Sequence, residues 1–346
     1  MIHRQGRVSA CLLALIAGSL LQGCGLLYDG VALLKPLVPD LPDELDVICQ
    51  HKRLQVGISV EAFPPFLFPV IWTVNGPRVT GMEIELLQEI TSALAKHCRG
   101  SPVTAVPHMV HFRDLYRLLT EGQLDLFMSS ASYAVPHITA SGLGYSTPYY
   151  FEGGIGGITP KPEVVEQVRV GLRQRRDGED FVDARKMALT GLTVAVQEGR
   201  SPHLYAEANL KGVRLLLCDT LAAALQFHDP EVDVILGKLP ILDYIVKRER
   251  KMRDWQLLEL ENGQPFLLNH EFYTVVMGEG SYRLQWLVDD VLFQLEESGR
   301  LTAIRHRWLE EDYVFQERAA SEGLVSDAPE SLKLYAAGTC HWAHRE

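Results

Sequence analysis

The sequence predicts an α/β protein of two lobes, each a mainly parallel sheet flanked by helices. Strand-like runs of apolar, β-branched residues alternate with helical periodicity over residues 54–130, and the alternation repeats over residues 192–238. A strand-like run at 271–280 then returns the chain to the first lobe, so the chain crosses between the lobes twice. Two crossings leave a cleft, and sheets of this type bind ligands in the crevice outside the carboxyl ends of their strands.

The elements of the first lobe follow a β-α-β-α-β order. Strands are predicted at 54–60, 103–110 and 124–130, with amphipathic helices at 81–98 and 112–123. A glycine-rich extended segment at 144–159 leads to the second lobe, whose strands are predicted at 192–199, 213–219 and 232–238 and whose helices are predicted at 201–210 and 220–228. One or two long amphipathic helices at 281–309 follow the return strand.

These patterns also indicate the domain boundaries. We assign residues 49–152 and 270–315 to the first lobe and residues 153–269 to the second. The charged segment 160–190 lies outside the repeat and is interpreted as a surface insertion containing some helix. Residues 316–346 are polar without a strong pattern, so we expect a loose C-terminal tail.

Composition argues for a soluble globular protein and against nucleic acid as a partner. The chain has 346 residues, 47% hydrophobic and 22% charged, which is enough for two cores. The net charge of −11 comes with no long basic patch. Two short basic runs, at 169–176 and 247–253, lie close to acidic residues and are interpreted as solvated helix faces.

The N-terminus has the layout of a secretory signal. A short basic start precedes an apolar stretch at 8–21, which is too short for a comfortable membrane span, and small residues then lead to Cys24. The segment resembles a bacterial lipoprotein signal, with Gln22 in a less usual place, and this implies cleavage after residue 23 and a lipid on Cys24. Residues 24–48 would then tether the protein to a membrane on the periplasmic side of the cell envelope. The alternatives are an ordinary signal peptide with a chance cysteine, or a core helix.

Four of the six cysteines remain after Cys11 leaves with the signal and Cys24 takes the lipid. Cys49 precedes the first predicted strand and Cys98 ends the following helix. A helix returns antiparallel to its strand in a β-α unit, so the two can come within disulfide range in an oxidising compartment. Two free thiols are the alternative. Cys218 lies in a buried-strand pattern and is interpreted as a plain core thiol.

Several segments together carry a family resemblance. LQVGISVEAFPPF, GMEIELLQEI, DLFMSSAS, YSTPYYFEGG, LTGLTVAVQEG, VDVILGK and SGRLTAIRHRWL occur in this order between residues 49 and 309. The chain resembles the bacterial extracellular solute-binding proteins of family 3, the polar-amino-acid receptors of ABC importers. The resemblance implies a type II periplasmic binding protein fold that closes on a small-molecule solute, with an ABC permease as partner and no cofactor.

The resemblance also implies ligand-binding residues. Phe63 matches an aromatic residue that stacks on the ligand, and Ser130 and Ser132 match groups at a strand end that hold its ammonium and carboxylate. Strand-end hydroxyls can instead cap the next turn. Glu61 lies near a position where members that hold basic side chains often carry an acid, although a solvated loop acid is the alternative.

The departures from the family concern the groups that clamp an α-amino acid. His137 stands where the family has an arginine for the α-carboxylate, and Lys238 stands where it has an acid for the α-ammonium. Arg200 and Ser201 replace a pair of threonines, with Ser201 at a helix N-terminus. The cations favour an anionic or modified solute. The alternative is that they face solvent.

Two other functions are compatible with this sequence. Secreted cyclohexadienyl (arogenate or prephenate) dehydratases share the two-lobed scaffold and resemble the segment LTAIRHRWLE. Such an enzyme needs a general acid, so a cleft glutamate with a raised pKa would support it and an all-cation cleft would not. A ligand-sensing accessory protein is the third possibility. His108, His111 and the segment 340–344 have no spacing that indicates a metal site, and no phosphate-binding or serine-hydrolase motif is found.

Overall fold

The structure, a computed structural model, describes residues 43–132, 142–173, 181–226, 231–249, 252–334 and 338–343. All of its helices and strands belong to the compact unit Glu44–Glu346. The α-helices are α1 Glu44–His51, α2 Met82–His97, α3 Phe112–Thr120, α4 Pro162–Arg173, α5 Phe181–Met187, α6 Ser201–Asn209, α7 Leu221–Gln226, α8 Leu239–Arg248, α9 Tyr282–Glu297, α10 Arg300–Leu309 and α11 Phe315–Glu322. The strands are β1 Arg53–Ser59, β2 Ile71–Thr73, β3 Gly76–Val79, β4 Thr104–Val110, β5 Leu126–Met128, β6 Gly144–Tyr145, β7 Tyr150–Thr159, β8 Thr193–Gln197, β9 Arg214–Cys218, β10 Val234–Lys238, β11 Gln256–Leu257, β12 Asn269–Tyr273, β13 Val276–Met277, β14 Leu324–Val325 and β15 Cys340–Trp342.

The first sheet has the order β4-β1-β5-β13-β6. Its strands β4, β1 and β5 are parallel, whereas β13 and β6 add antiparallel pairs at the other edge. Leu54, Val56 and Ile58 of β1 are buried, as the alternation of apolar residues predicts. We call this sheet with its helices the first lobe, and the carboxyl ends of β1 and β5 define its binding edge.

The second sheet has the order β11-β7-β10-β8-β9-β15, and β12 pairs with β7. Strands β10, β8 and β9 are parallel, and the remaining pairs are antiparallel. We call this sheet with its helices the second lobe. The antiparallel strands β7 and β12 are the two crossing segments, since an isolated bridge also joins Tyr273 of β12 to Ser132 of the first lobe. Each sheet therefore contains three parallel strands, to which antiparallel strands are added.

The charged segment 160–190 contributes more to the core than a surface insertion would. It forms α4 and α5, and Val164, Val165 and Val168 of α4 are buried in the hydrophobic cluster of the second lobe. The valines are spaced at helical intervals on one face, and this face covers the sheet. The surrounding charged residues obscured that short apolar stripe in the sequence.

The described part of the tail contains paired strands, whereas the sequence predicted a loose segment. Residues 324–325 form β14 beside β3, and β15 adds an antiparallel strand to β9. Cys218 is bonded to Cys340, so it is not a plain core thiol. A three-residue strand shows no periodicity, and its partner lies 122 residues away in sequence, so neither feature was readable locally.

The predicted pair Cys49 and Cys98 is also joined, with Cα atoms 5.2 Å apart. The bond links the end of α1 to the end of α2 within the first lobe. Among the described residues, no helix has both the length and the apolar character required to cross a bilayer. Cys24 and the rest of the predicted signal lie outside the described residues.

Candidate functional site

The serine-rich segment DLFMSSAS lies at the binding edge of the first lobe. Strand β5 ends at Met128, and Ser129, Ser130 and Ser132 are all buried. Ser130 has a φ of 48°, which turns the backbone so that its N–H donates to Oε1 of Glu83 over 2.6 Å. The turn leaves the carbonyl oxygen of Ser129 facing the second lobe, where it accepts a hydrogen bond from Arg200 Nη1 over 2.9 Å.

Arg200 reaches into the first lobe from the start of α6. It precedes Ser201, is 6% exposed and is the N-cap residue of that helix. Its guanidinium carbon lies 3.5 Å from the ring centroid of Phe112 and 5.2 Å from that of Phe63. A guanidinium over aromatic faces gains cation–π attraction, which is larger in a desolvated site. Burial lowers the pKa of Arg200, and the neighbouring Glu61 opposes that shift.

Glu61 supplies negative charge that acts on Arg200. The carboxylate is buried and accepts hydrogen bonds from His111 Nδ1 over 2.9 Å, from the Phe112 backbone N–H over 3.2 Å and from the Ser59 hydroxyl. Burial opposes its ionisation, but the positive charge of Arg200 and these hydrogen bonds outweigh burial, so the pKa of Glu61 is lowered. Glu61 is therefore not a solvated loop acid.

A second buried ion pair lies on the second sheet. Lys238, at the end of β10, places Nζ 2.8 Å from Oε2 of Glu271 on β12, and both side chains are buried. The same Nζ lies 4.4 Å from the ring centroid of Tyr273. Burial lowers the pKa of Lys238, against the opposing charge and hydrogen bond of Glu271.

Glu83 is a third buried carboxyl group at this edge. It stands in the first turn of α2, and its Oε1 also accepts a hydrogen bond from the Tyr149 hydroxyl. Burial raises the pKa of Glu83 even though Tyr149, the Ser130 N–H and the charges of Arg200 and Lys238 act to lower it. A protonated carboxyl group is thus more accessible here than at an exposed glutamate.

Several buried polar atoms around these groups have no hydrogen-bond partner among the described residues. They come from both lobes and from the crossing strand β12: Ser132 Oγ, Arg200 Nε, Ser201 Oγ, Glu271 Oε1, Tyr273 Oη and Thr274 Oγ1. A buried polar group without a partner costs about 1–3 kcal/mol, so these atoms are hydrogen-bonding capacity that the described residues leave unused.

The structure brings most of the predicted ligand residues to this one region. Phe63, Ser130, Ser132, Glu61, Arg200, Ser201 and Lys238 are all buried there. His137 lies outside the described residues. Lys238 pairs with Glu271 and Arg200 lies in the field of Glu61, so both cations have a negative neighbour in the chain, and the anionic solute stays a prediction.

The sequence did not single out five further residues of the region: Glu83, Phe112, Tyr149, Glu271 and Tyr273. Glu83 and Glu271 read as the polar positions of an amphipathic helix and of a strand, and only the packing of the two lobes shows that they are buried. Within the described ranges, no cluster of three or more His, Cys, Asp or Glu side chains could hold a metal ion.

Comparison with known proteins identifies the family. The chain belongs to the bacterial extracellular solute-binding proteins, family 3, whose sequence model matches residues 54–311. A comparison with curated protein sequences found no match.

Solved structures with low sequence identity share the two-lobed periplasmic binding protein fold. An amino acid ABC transporter substrate-binding protein from Streptococcus pneumoniae, bound to L-arginine, is 18% identical, with a TM-score of 0.61 over 79% of this chain and 100% of that one. A mutant of ArgBP from T. maritima is 20% identical, with a TM-score of 0.58 over 77% of this chain and 99% of that one. The ancestral amino acid-binding protein AncCDT-1, a precursor of cyclohexadienyl dehydratase, is 19% identical, with a TM-score of 0.59 over 77% and 99%.

Proposed function

We propose that this protein is an extracytoplasmic lipoprotein that captures a small polar solute between its lobes and presents it to an ABC permease. The observation that carries the proposal is the set of unpartnered polar atoms contributed by both lobes and by β12. A solute that supplies their missing hydrogen bonds stabilises the closed form further, by the difference between its contacts in the closed and in the open form.

The chemistry of the region favours a solute with both hydrogen-bond donors and acceptors. Ser132 Oγ, Ser201 Oγ and Tyr273 Oη can each donate or accept a hydrogen bond. Glu271 Oε1 can only accept one when the carboxyl group is ionised and has no proton to donate. Because Lys238 already has a carboxylate partner, the solute need not be an anion. An amino acid or a modified small solute of similar size fits these groups, and an amino acid is also what the S. pneumoniae relative holds.

Calorimetry on protein freed of bound small molecules by unfolding and refolding tests this proposal. The panel contains the standard amino acids and small organic acids, and mass spectrometry identifies any solute that copurifies with the untreated protein. We expect micromolar binding of one class, weakened about tenfold by Ser132→Ala and by Ser201→Ala, since each removes one hydrogen bond. The exposed Ser321→Ala is the matched control. If no solute copurifies and none binds, the proposal fails.

One observation favours a second candidate, a dehydratase-like enzyme. The cleft is not all-cationic, and buried Glu83 has the raised pKa that a general acid requires. Incubation with prephenate and with arogenate, followed by chromatography of the aromatic products, tests this candidate. Turnover that Glu83→Gln abolishes would establish it, and the absence of turnover would exclude it.

A further inference from the structure

Arg200 is a buried cation that is held by groups of the opposite lobe. The first lobe supplies two aromatic faces from Phe63 and Phe112, a carbonyl oxygen from Ser129 and the negative field of Glu61. These groups follow β1 and β5 or begin α3, at the edge where the sheet binds ligands. The guanidinium that they hold belongs to the opposite lobe of the same chain.

We propose that Arg200 is a built-in occupant of the first lobe's side-chain subsite and thereby determines which solutes the cleft accepts. This inference rests on the proposed solute-binding function and names the part of the cleft that a solute does not use. Solutes with a guanidinium or another long cationic side chain are excluded, because the position for that group is already filled. The cleft also closes without a solute, because the chain itself bridges the two lobes.

The charges of the region are consistent with this exclusion. Arg200 contributes positive charge next to Glu61, and Lys238 contributes it next to Glu271, so each of these carboxylates has a cation supplied by the chain. A cationic solute entering beside these side chains would meet like charges in a desolvated site, which is unfavourable.

Arg200 does not use all of its hydrogen-bond donors in this position. Its Nη1 donates to Ser129, but its Nε has no partner among the described residues. A free guanidinium is not constrained by attachment to α6 and can align all its donors. Removing the Arg200 side chain should therefore convert the subsite into a binding site for a small guanidinium compound.

The experiment measures binding of methylguanidine and L-arginine to the refolded wild-type protein and to Arg200→Ala. We expect Arg200→Ala to bind both compounds at least about tenfold more tightly than the wild type does. The guanidinium of the compound can then contact the two aromatic rings and the Ser129 carbonyl that Arg200 occupies in the wild type. Methylammonium, which has the charge without the planar fork, should show no such gain. Exposed Arg253→Ala is the matched control and should behave like the wild type. Equal binding by Arg200→Ala and the wild type would overturn the inference.

A second measurement uses the wild type alone and does not depend on folding of the variant. Small-angle scattering of the solute-free wild type should give the dimensions of a closed molecule, and an expanded, open molecule would overturn the inference. The two proposals fail separately. If Arg200→Ala gains methylguanidine binding but no solute binds the wild type, only the proposed function is refuted. A wild-type solute with no gain in the variant would remove only the role of Arg200.

Discussion

Among the described residues, three carboxyl groups and two cationic side chains are buried around the cleft, and each has a charged or hydrogen-bonding neighbour. Glu61, Glu83 and Glu271 are the acids, and Arg200 and Lys238 are the bases. A buried charge that loses its partner is costly, whereas a buried pair replaced as a unit by apolar groups is often nearly neutral. A single substitution in a buried pair should therefore lower the free energy of unfolding more than the same substitution in an exposed pair.

The pair of Lys238 and Glu271 gives the first prediction. Lys238→Met leaves the Glu271 carboxylate buried without its cation, and we expect the free energy of unfolding to fall by about 3–5 kcal/mol. The double variant Lys238→Met with Glu271→Leu should recover most of that loss. Urea unfolding measures both. The surface partner pair of Lys247 and Asp243 is the control, since Lys247→Met should cost about 1 kcal/mol or less. Equal losses at the two lysines would contradict the prediction.

Glu61 gives a prediction about pH. Its pKa is lowered in the folded protein from an ordinary value of 4.5, so the folded state binds fewer protons than the unfolded state as the pH falls. The stabilisation from ionised Glu61 is thus present above pH 4.5 and is lost as the pH falls through the folded-state pKa. We expect the stability difference between the wild type and Glu61→Gln to be largest near neutrality and to shrink in acid.

Urea unfolding over a pH series measures this difference, with exposed Glu297→Gln as the control for loss of a charge. Arg200 and His111 are the neighbours of Glu61, and both are unchanged in the two variants, so the comparison isolates the Glu61 carboxyl group. A difference that grows as the pH falls would show that the sign is wrong.

At the scale of elements, the C-terminal segment connects the two lobes a third time. Strand β14 pairs with β3, and Asp327 accepts a hydrogen bond from the Met109 N–H of β4 in the first lobe. Strand β15 then pairs with β9 in the second lobe, where Cys340 is bonded to Cys218. A covalent connection outside β7 and β12 should limit how far the lobes separate.

Removal of this bond gives the third prediction. The double variant Cys218→Ser with Cys340→Ser should lose about 4–5 kcal/mol of stability by the chain-entropy estimate. It should also show faster hydrogen exchange at residues 129–132, because the cleft opens more readily. The matched control is Cys49→Ser with Cys98→Ser, whose bond lies within the first lobe and should affect stability without changing exchange at the cleft. The same exchange rates in both variants would argue against a third connection.

At the scale of the whole molecule, the proposed lipid on Cys24 decides where the cleft operates. The wild type should partition into the detergent phase and fractionate with membranes, since acyl chains contribute about 0.8 kcal/mol per buried CH₂. Cys24→Ala should be recovered in the aqueous phase with unchanged thermal stability. Metabolic labelling with a fatty acid measures the modification directly. A wild type that remains aqueous and unlabelled would refute the anchor.

The sequence by itself determined the order of most elements, because the spacing of apolar residues distinguishes a strand from an amphipathic helix. The strand predicted at 54–60 is β1 Arg53–Ser59, and the helix predicted at 81–98 is α2 Met82–His97. The tail strands had no such local pattern, and they depend on partners far away in the chain. Helix α8 was not predicted, although its buried residues Ile241, Leu242 and Ile245 are spaced as one helix face.

Only the tertiary structure shows which groups the cleft residues contact. Sequence identified Arg200 and Lys238 as cations, but only the packing of the two lobes placed Glu61 beside the first and Glu271 against the second. Charge compensation is a property of distances between side chains, and Lys238 and Glu271, which are 33 positions apart, carry no local sign of it. For that reason the sequence shows two cations without visible partners, whereas the fold gives each of them a carboxylate neighbour from the same chain.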